Sequence, residues 1–330
     1  PGEAVSDFLQ EHNNYFDELE DFANKIFKSV NSKNRTRHVL LVDYLKKKHN
    51  VDVVDIVPSE KENFAKKFDL NQKKLFLSDY LTLETKKLYT ASQIVQLEAM
   101  NIIEKQLVNF NFQNDESKTL TTIALINYAA AAILMPYELF YQECIKHRYD
   151  LELLQHTFAT SFEQVAHRVT CLQNPKMKGI PFHMLRADIA GNISKRLSLS
   201  GIQIPRYGGA CPRWNIHSAF VTPGKIHTAL SKMTDGEKYV CIARTVEKGI
   251  GRHGVHRSMV SIGLGCQAKY AKDFVYADQL NLKDEKAAIS IGVNCRTCTR
   301  LDCQQRAFPP INKKFNIDLN KRGISVYVGE

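Results

Sequence analysis

The chain has 330 residues, 44% hydrophobic and 24% charged, enough apolar side chain for about two domains with a core each. A net charge of +10 and a pI of about 9.1 favour a polyanionic partner, either nucleic acid or a phosphate-rich ligand, without separating these from a merely solvated lysine-rich surface. Eight cysteines are too few for a disulfide scaffold, the polar and acidic start is no secretory leader, and the longest apolar run, Tyr128 to Met135, falls short of the roughly 18–20 residues of a membrane span. The expected setting is therefore a reducing cytoplasm, with no membrane partner.

In chain order, Ala4 to Val30 is predicted as one amphipathic helix, because Phe8, Tyr15, Phe16, Leu19, Phe22, Ala23, Ile26 and Phe27 recur at three- and four-residue steps. After a polar break at 31–36, a helix is predicted over Arg37 to Lys48, then strands over Val51 to Val57 and Lys73 to Ser78. Helices follow over Leu83 to Phe110, Ser117 to Leu134, Pro136 to Arg148, Leu151 to Ala159 and Phe162 to Leu172. The segment Asn174-Pro175-Lys-Met-Lys-Gly179 marks the domain boundary. Beyond it the apolar period changes to two. Phe182 to Asp188 and Ile193 to Leu199 flank a hairpin turn at Ala190-Gly191-Asn192. Tyr239 to Val246 and Ser258 to Leu264 read as a second antiparallel pair, Lys269 to Ala277 as a short helix and Ile289 to Val293 as a strand. The fold class is α+β, with a mainly helical domain over 1–174 and an antiparallel-sheet domain over 175–330.

Two motifs carry little weight. Gly249-Ile-Gly251-Arg-His-Gly254 has the glycines of a dinucleotide loop, but a strand and not a helix follows it, so a hairpin loop is the expectation, with His253 and His256 in a solvated basic loop. Asp150 to Leu172 has helix-turn-helix spacing, yet its second helix offers only Gln164, His167 and Arg168 to read bases. No paired carboxylates and no nucleophile-base arrangement stand out.

The strongest local signal is Cys295-Arg-Thr-Cys298-Thr-Arg-Leu-Asp-Cys303, three thiols at C-x2-C-x4-C spacing. A tight turn brings the first two sulfurs to one centre, and four more residues return a third. Cys211, in the glycine-rich turn Gly208-Gly209-Ala210-Cys211-Pro212, is the candidate fourth ligand. Four thiolates suit zinc or an iron–sulfur cluster, and spacing does not choose. Cys144, Cys171, Cys241 and Cys266 fall in predicted helices or strands and read as core.

The runs Gly208-Gly-Ala-Cys-Pro-Arg-Trp-Asn215, Ile242-Ala-Arg-Thr-Val246 and Cys295-Arg-Thr-Cys through Asp302-Cys-Gln-Gln-Arg-Ala-Phe-Pro-Pro310 together resemble the short-chain fatty acyl-CoA-responsive bacterial transcription regulators. The likeness runs from about Glu11 to Tyr327, specific toward the C-terminal end and looser before Leu120. It implies an acyl-CoA sensor acting on propionate, acetate or related metabolism, and a 4Fe-4S cluster on Cys211, Cys295, Cys298 and Cys303. It also implies a middle region like the metallopeptidases that cleave repressors, and operator DNA met through a helix-turn-helix not present in this chain, which is read as cut away from that domain. A homo-oligomer is expected. Where those peptidases carry H-E-x-x-H, this chain has Ser92-Gln93-Ile94-Val95-Gln96, and the distal acidic ligand falls near Ile123, so zinc proteolysis is excluded there.

Coenzyme A needs cationic side chains beside an apolar slot, and a metal-free peptidase cleft is a natural place for it. The residues expected near it are Gln96, Tyr137 and Arg148, with Arg37 and Tyr89 from neighbouring elements. Arg148 leads because a guanidinium grips phosphate bidentately. The expectation is a sensor and not an enzyme. The rivals are a zinc-stabilised interaction module and an iron–sulfur enzyme, the latter disfavoured because four cysteine ligands leave no open position.

Overall fold

The computed structural model describes residues 2–30, 32, 35–58, 64–248, 257–311, 320, 324–325 and 327. The chain divides into two compact units, Pro1–Gly179 with Glu247–Ser258, and Ile180–Val246 with Met259–Glu330. The glycine-patterned loop at 249–254 and its two histidines lie outside the described residues.

The first unit is helical around one central helix. The single helix predicted over Ala4 to Val30 is in fact two, α1 (Gly2–Glu11) and α2 (Asp17–Ser29). Asn13 and Asn14 take left-handed φ of 51° and 52°, a conformation asparagine tolerates better than most residues. The turn is held from afar, since the buried Asn14 amide donates to Thr170 Oγ1 at 2.8 Å and Cys171 Sγ at 3.2 Å. Helix α3 (Arg37–His49) ends on left-handed Asn50 and leads into β1 (Asp52–Ile56). Strand β1 pairs in parallel with β3 (Lys74–Ser78), and β2 (Lys66–Asp69) pairs antiparallel on the other side of β3. The sequence reading missed β2, whose Lys-Lys-Phe-Asp shows no apolar alternation.

The helix predicted over Leu83 to Phe110 breaks at Ala99 into α4 (Leu83–Glu98) and α5 (Met100–Leu107). Both pack on α6 (Asp115–Leu134), as do α1, α2 and α9 (Phe162–Thr170). Asn114 caps α6 by accepting from the Ser117 amide at 2.8 Å. By length and composition α6 could cross a bilayer, contrary to the expectation that no run approaches that size. Leu125, Ala129, Ala130, Ala132 and Ile133 are wholly or almost wholly buried, so α6 is the axis of this unit's core. Helices α7 (Tyr137–Lys146) and α8 (Leu151–Phe158) complete the bundle, and β4 (Gln173–Asn174) with β5 (Met177–Lys178) forms a small hairpin around Pro175.

The second unit is built on a six-stranded sheet of order β11-β8-β9-β10-β6-β7. It comprises β6 (His183–Asp188), β7 (Ile193–Ser198), β8 (His227–Lys232), β9 (Lys238–Lys248), β10 (Ser258–Gln267) and β11 (Ile289–Ser290). The sheet is mixed and not purely antiparallel as expected, because β11 runs parallel to β8. Strand β8 was not foreseen. The predicted helix over Lys269 to Ala277 is a pair of 3-10 turns, and the strand over Ile289 to Val293 shrinks to two residues. Leu185, Ala187, Ile202, Trp214, Ile216 and Cys241 form the core on one sheet face, closed by the short helix α10 (Asn215–Ser218). Gly265 lets the sheet admit an imidazole, since a Cβ there would stand 2.6 Å from the His183 ring.

Candidate functional site

Helices α2, α3, α6, α7 and α8 bring Phe27, Leu40, Leu134, Leu139 and Phe158 to the wall of a cavity of about 320 Å³. Arg35 and Arg37 line the same cavity. Arg37 stacks over the Phe27 ring at 4.4 Å and donates to the Val30 carbonyl at 3.1 Å, which fixes its guanidinium; burial lowers its pKa. The buried Lys87 ammonium donates to the carbonyl of Ala159, another lining residue. Glu143 also lines the cavity and Arg35 is ion-paired with Asp43, so the cavity combines two guanidinium groups and one carboxylate with an apolar wall.

A second cavity of about 320 Å³, lined by Tyr15, Asp17, Glu20, Asp21, Tyr137 and Glu138 among others, is acidic. Behind it Arg168, fully buried, makes a bidentate pair with Glu20 at 2.6 and 2.8 Å, and Tyr128 donates to Glu20 at 2.5 Å. Burial opposes the charge on Arg168, but Glu20 outweighs it and raises the guanidinium pKa. Arg168 is therefore a core residue and is not presented to DNA.

The five expected ligand residues do not converge. Arg37 lines the basic cavity and Tyr137 the acidic one, its hydroxyl donating to the Met177 carbonyl and accepting from the Asn174 amide, both at 2.9 Å. Gln96 is exposed, Tyr89 half-buried, and Arg148 half-buried with a left-handed φ of 48°; none of these three lines either cavity. On α4, Ser92 Oγ accepts from Lys66 of β2 at 2.9 Å, and burial lowers the Lys66 pKa to about 8. Gln93 is fully buried with both amide atoms lacking a hydrogen-bond partner. An ammonium thus stands beside a position where the peptidase likeness expects an imidazole. Position 123, expected to carry the distal acid, is an exposed isoleucine.

In the sheet unit, Cys211 donates its amide to the Val293 carbonyl at 3.0 Å, and Trp214 donates its indole N–H to Gly292 at 3.0 Å, so the glycine-rich turn lies against the start of the cysteine loop. A Cβ on Gly292 would meet Cys298 Sγ at 2.8 Å. Burial raises the Cys211 thiol pKa, and Cys295 and Cys298 raise it further, which marks their proximity. The Ala307 amide donates to Cys295 Sγ at 3.4 Å. Arg306, almost wholly buried, donates to the carbonyls of Cys295 at 2.7 Å and Cys298 at 3.1 Å. The Cys211, Cys295 and Cys298 thiols, a sulfur-directed amide and a guanidinium fit a thiophilic metal centre in donor chemistry, with Cys303 half-buried further along the same loop. Among the described residues, however, no three His, Cys, Asp or Glu side chains already stand grouped around one centre. His217, not foreseen from sequence, bonds the Cys211 backbone through its ring. The other four cysteines are buried.

The model of the short-chain fatty acyl coenzyme A regulator C-terminal region matches residues 171–327, and that of the IrrE N-terminal-like domain, a peptidase group, matches residues 46–170. The chain is 33% identical over 336 residues to the HTH-type transcriptional regulator RamB of Mycobacterium tuberculosis, covering 99% of this chain and 69% of that protein. It is 41% identical over 253 residues to the propionyl-CoA carboxylase regulator of Cereibacter sphaeroides, covering 77% and 54% of the two. The HTH-type transcriptional regulator PrpR of M. tuberculosis is 32% identical over 323 residues, covering 97% and 66%. A solved structure of a M. tuberculosis transcriptional regulator superposes with a TM-score of 0.91 at 30% identity, covering 98% of each chain.

Proposed function

Because this chain belongs to the short-chain fatty acyl-CoA-responsive regulators, which are transcriptional regulators and not enzymes, we propose that it is the effector-sensing part of such a regulator. Its effector is a short-chain acyl-CoA of propionate- or acetate-type metabolism, and it acts in the cytoplasm as a homo-oligomer, with operator DNA met through a helix-turn-helix. The observation that carries this reading is the basic cavity: Arg37 offers a phosphate contact beside an apolar wall of Phe27, Leu40, Leu134 and Leu139, with Arg35, ion-paired to Asp43, on the same lining. Arg37 takes the leading role given to Arg148 on sequence grounds.

The same proposal assigns Cys211, Cys295, Cys298 and Cys303 to a 4Fe-4S cluster, with zinc as the alternative. When bound, such a centre would cross-link the glycine-rich turn to the C-terminal loop. Arg306 holds the loop carbonyls and the Ala307 amide faces sulfur, so these residues orient the thiols.

One preparation tests both parts. Protein purified without oxygen is analysed for iron, sulfide and zinc, then titrated calorimetrically with propionyl-CoA. Iron and sulfide in equal amounts are expected, and Arg37→Ala should weaken binding by about 1.5–3 kcal/mol, the scale of a charge-assisted hydrogen bond. A loss in Arg148→Ala alone would move the site, and no acyl-CoA binding by the unaltered chain would end the sensor reading. Stoichiometric zinc without iron would replace the cluster.

A further inference from the structure

The +10 net charge is not shared between the two units. The sheet unit holds 20 of the chain's 45 Lys and Arg but only 10 of its 35 Asp and Glu, so it carries the whole excess, and the helical unit is neutral with 25 of each. Within the sheet unit the imbalance is local. From Ile189 to Thr234 there is no acidic residue, against Lys195, Arg196, Arg206, Arg213, Lys225 and Lys232.

The fold gathers part of this stretch. Asn192, at the β6–β7 turn, bridges to Gly209 in the glycine-rich loop, and Cys211 bonds Val293 at the root of the cysteine loop. The hairpin tip, the Arg206–Arg213 loop and the cysteine loop therefore meet. Arg206 is exposed beside Tyr207, which is 78% exposed, and exposed Arg296 sits 4.4 Å over the ring of half-exposed Phe308. Acids border the region, and one of them, Glu285, pairs with Lys232 and Lys238. Asp188 spends its carboxylate on the Asn192 amide and side chain, both at 2.9 Å, and Asp302 is exposed.

We propose that this face of the sheet unit binds the phosphate backbone of duplex DNA, a second contact beside any helix-turn-helix. Charge complementarity selects the occupant. Guanidinium groups alternate with exposed rings, the pairing that grips phosphates while resting on sugar or base edges. Sequence is not read here. The contact adds affinity and fixes how the sheet unit sits on DNA, and it depends on neither the acyl-CoA site nor the identity of the metal.

The test uses the 330-residue chain and a fluorescent duplex of random sequence, titrated at increasing salt. Binding is expected with a slope of about −0.9 in log K against log salt for each phosphate neutralised. The triple variant Arg206→Ala/Arg213→Ala/Arg296→Ala should lose about three units of that slope and bind at least about tenfold more weakly at low salt. The triple lysine variant should recover most of it, because phosphate accepts a point charge whereas a structural role for arginine would not. Trp214, the only tryptophan and buried in this loop, reports by fluorescence that each variant is folded. Three results would overturn the proposal: no duplex binding by the unaltered chain, unchanged binding in the triple alanine variant, or an equal loss in Lys105→Ala/Lys118→Ala on the neutral unit. Calorimetry with propionyl-CoA on the same samples separates this outcome from failure of the effector reading.

Discussion

At the scale of single residues, His183 shows how burial becomes pH dependence. Its ring is enclosed in the sheet core, with Nδ1 2.8 Å from Ser200 Oγ and Nε2 3.7 Å from Cys241 Sγ. Burial drops the imidazole pKa to about 3 and pushes the Cys241 thiol up to about 12, so both are neutral at pH 7. In the unfolded chain the ring titrates near its usual 6.5. Between 6.5 and 3 the unfolded chain therefore holds a proton that the folded one refuses. The contribution present above pH 6.5 is lost as pH falls toward 3, at up to about 1.4 kcal/mol per pH unit. Urea denaturation should show His183→Gln losing about 2 kcal/mol less than the unaltered chain between about pH 7 and 5. Equal losses would assign the acid sensitivity elsewhere. Arg168 marks the limit of reading residues locally. Its helix has helix-turn-helix spacing that the sequence reading gave little weight, and nothing local showed where Arg168 goes: its partner Glu20 lies 148 positions away and the pair is sealed in the core. No local pattern announces a buried ion pair of that separation.

At the scale of elements, Ser161 sets where α9 begins. Its hydroxyl accepts from the Gln164 amide at 3.2 Å while Gln164 Oε1 accepts from the Ser161 amide at 2.9 Å, a complete capping box. Gln164 also donates to the Glu84 carbonyl at the start of α4, so the cap ties two helices together. Ser161→Ala should cost about 1 kcal/mol in urea melts, the usual worth of a cap, and a neutral result would mean that packing alone holds α9 in place. Helix positions were legible because apolar residues at 3.6-residue spacing are a local property. Helix breaks were legible only in part. Asn13-Asn14 carries the chemistry of a left-handed turn, yet aromatic residues on both sides hid it, and Ala99 is an excellent helix former, so nothing local marks the break between α4 and α5, both of which pack on α6. Strands β2 and β8 were missed for a related reason: neighbours in the sheet, not their own alternation, make them strands.

At the scale of the whole chain, the cysteine spacing was readable because it is local, and the joining of Cys211 to that loop was foreshadowed by its glycine-rich turn. The basic cavity was not readable. It is assembled from α2, α3, α6, α7 and α8, and only Arg37 of the five expected residues reaches its basic wall. The charge division was legible in composition but acquires a location only once the units are known. One last consequence comes from the two-residue β11. Without it β8 would be the open margin of the sheet, and such margins recruit strands from other molecules. Ile291 bonds the Lys232 carbonyl at 2.9 Å, and Arg300 covers the Lys232 and Met233 carbonyls at 3.1 and 2.9 Å. The cysteine loop is thus a selvedge over the Ser231–Met233 end of that margin. Arg300→Ala should raise light scattering on mild warming, more steeply at higher protein concentration, and scattering that matches the unaltered chain would show that β11 guards the margin unaided. A chain that fails to order this loop would be withdrawn from solution by self-association, so the number of competent molecules would track how many had completed it.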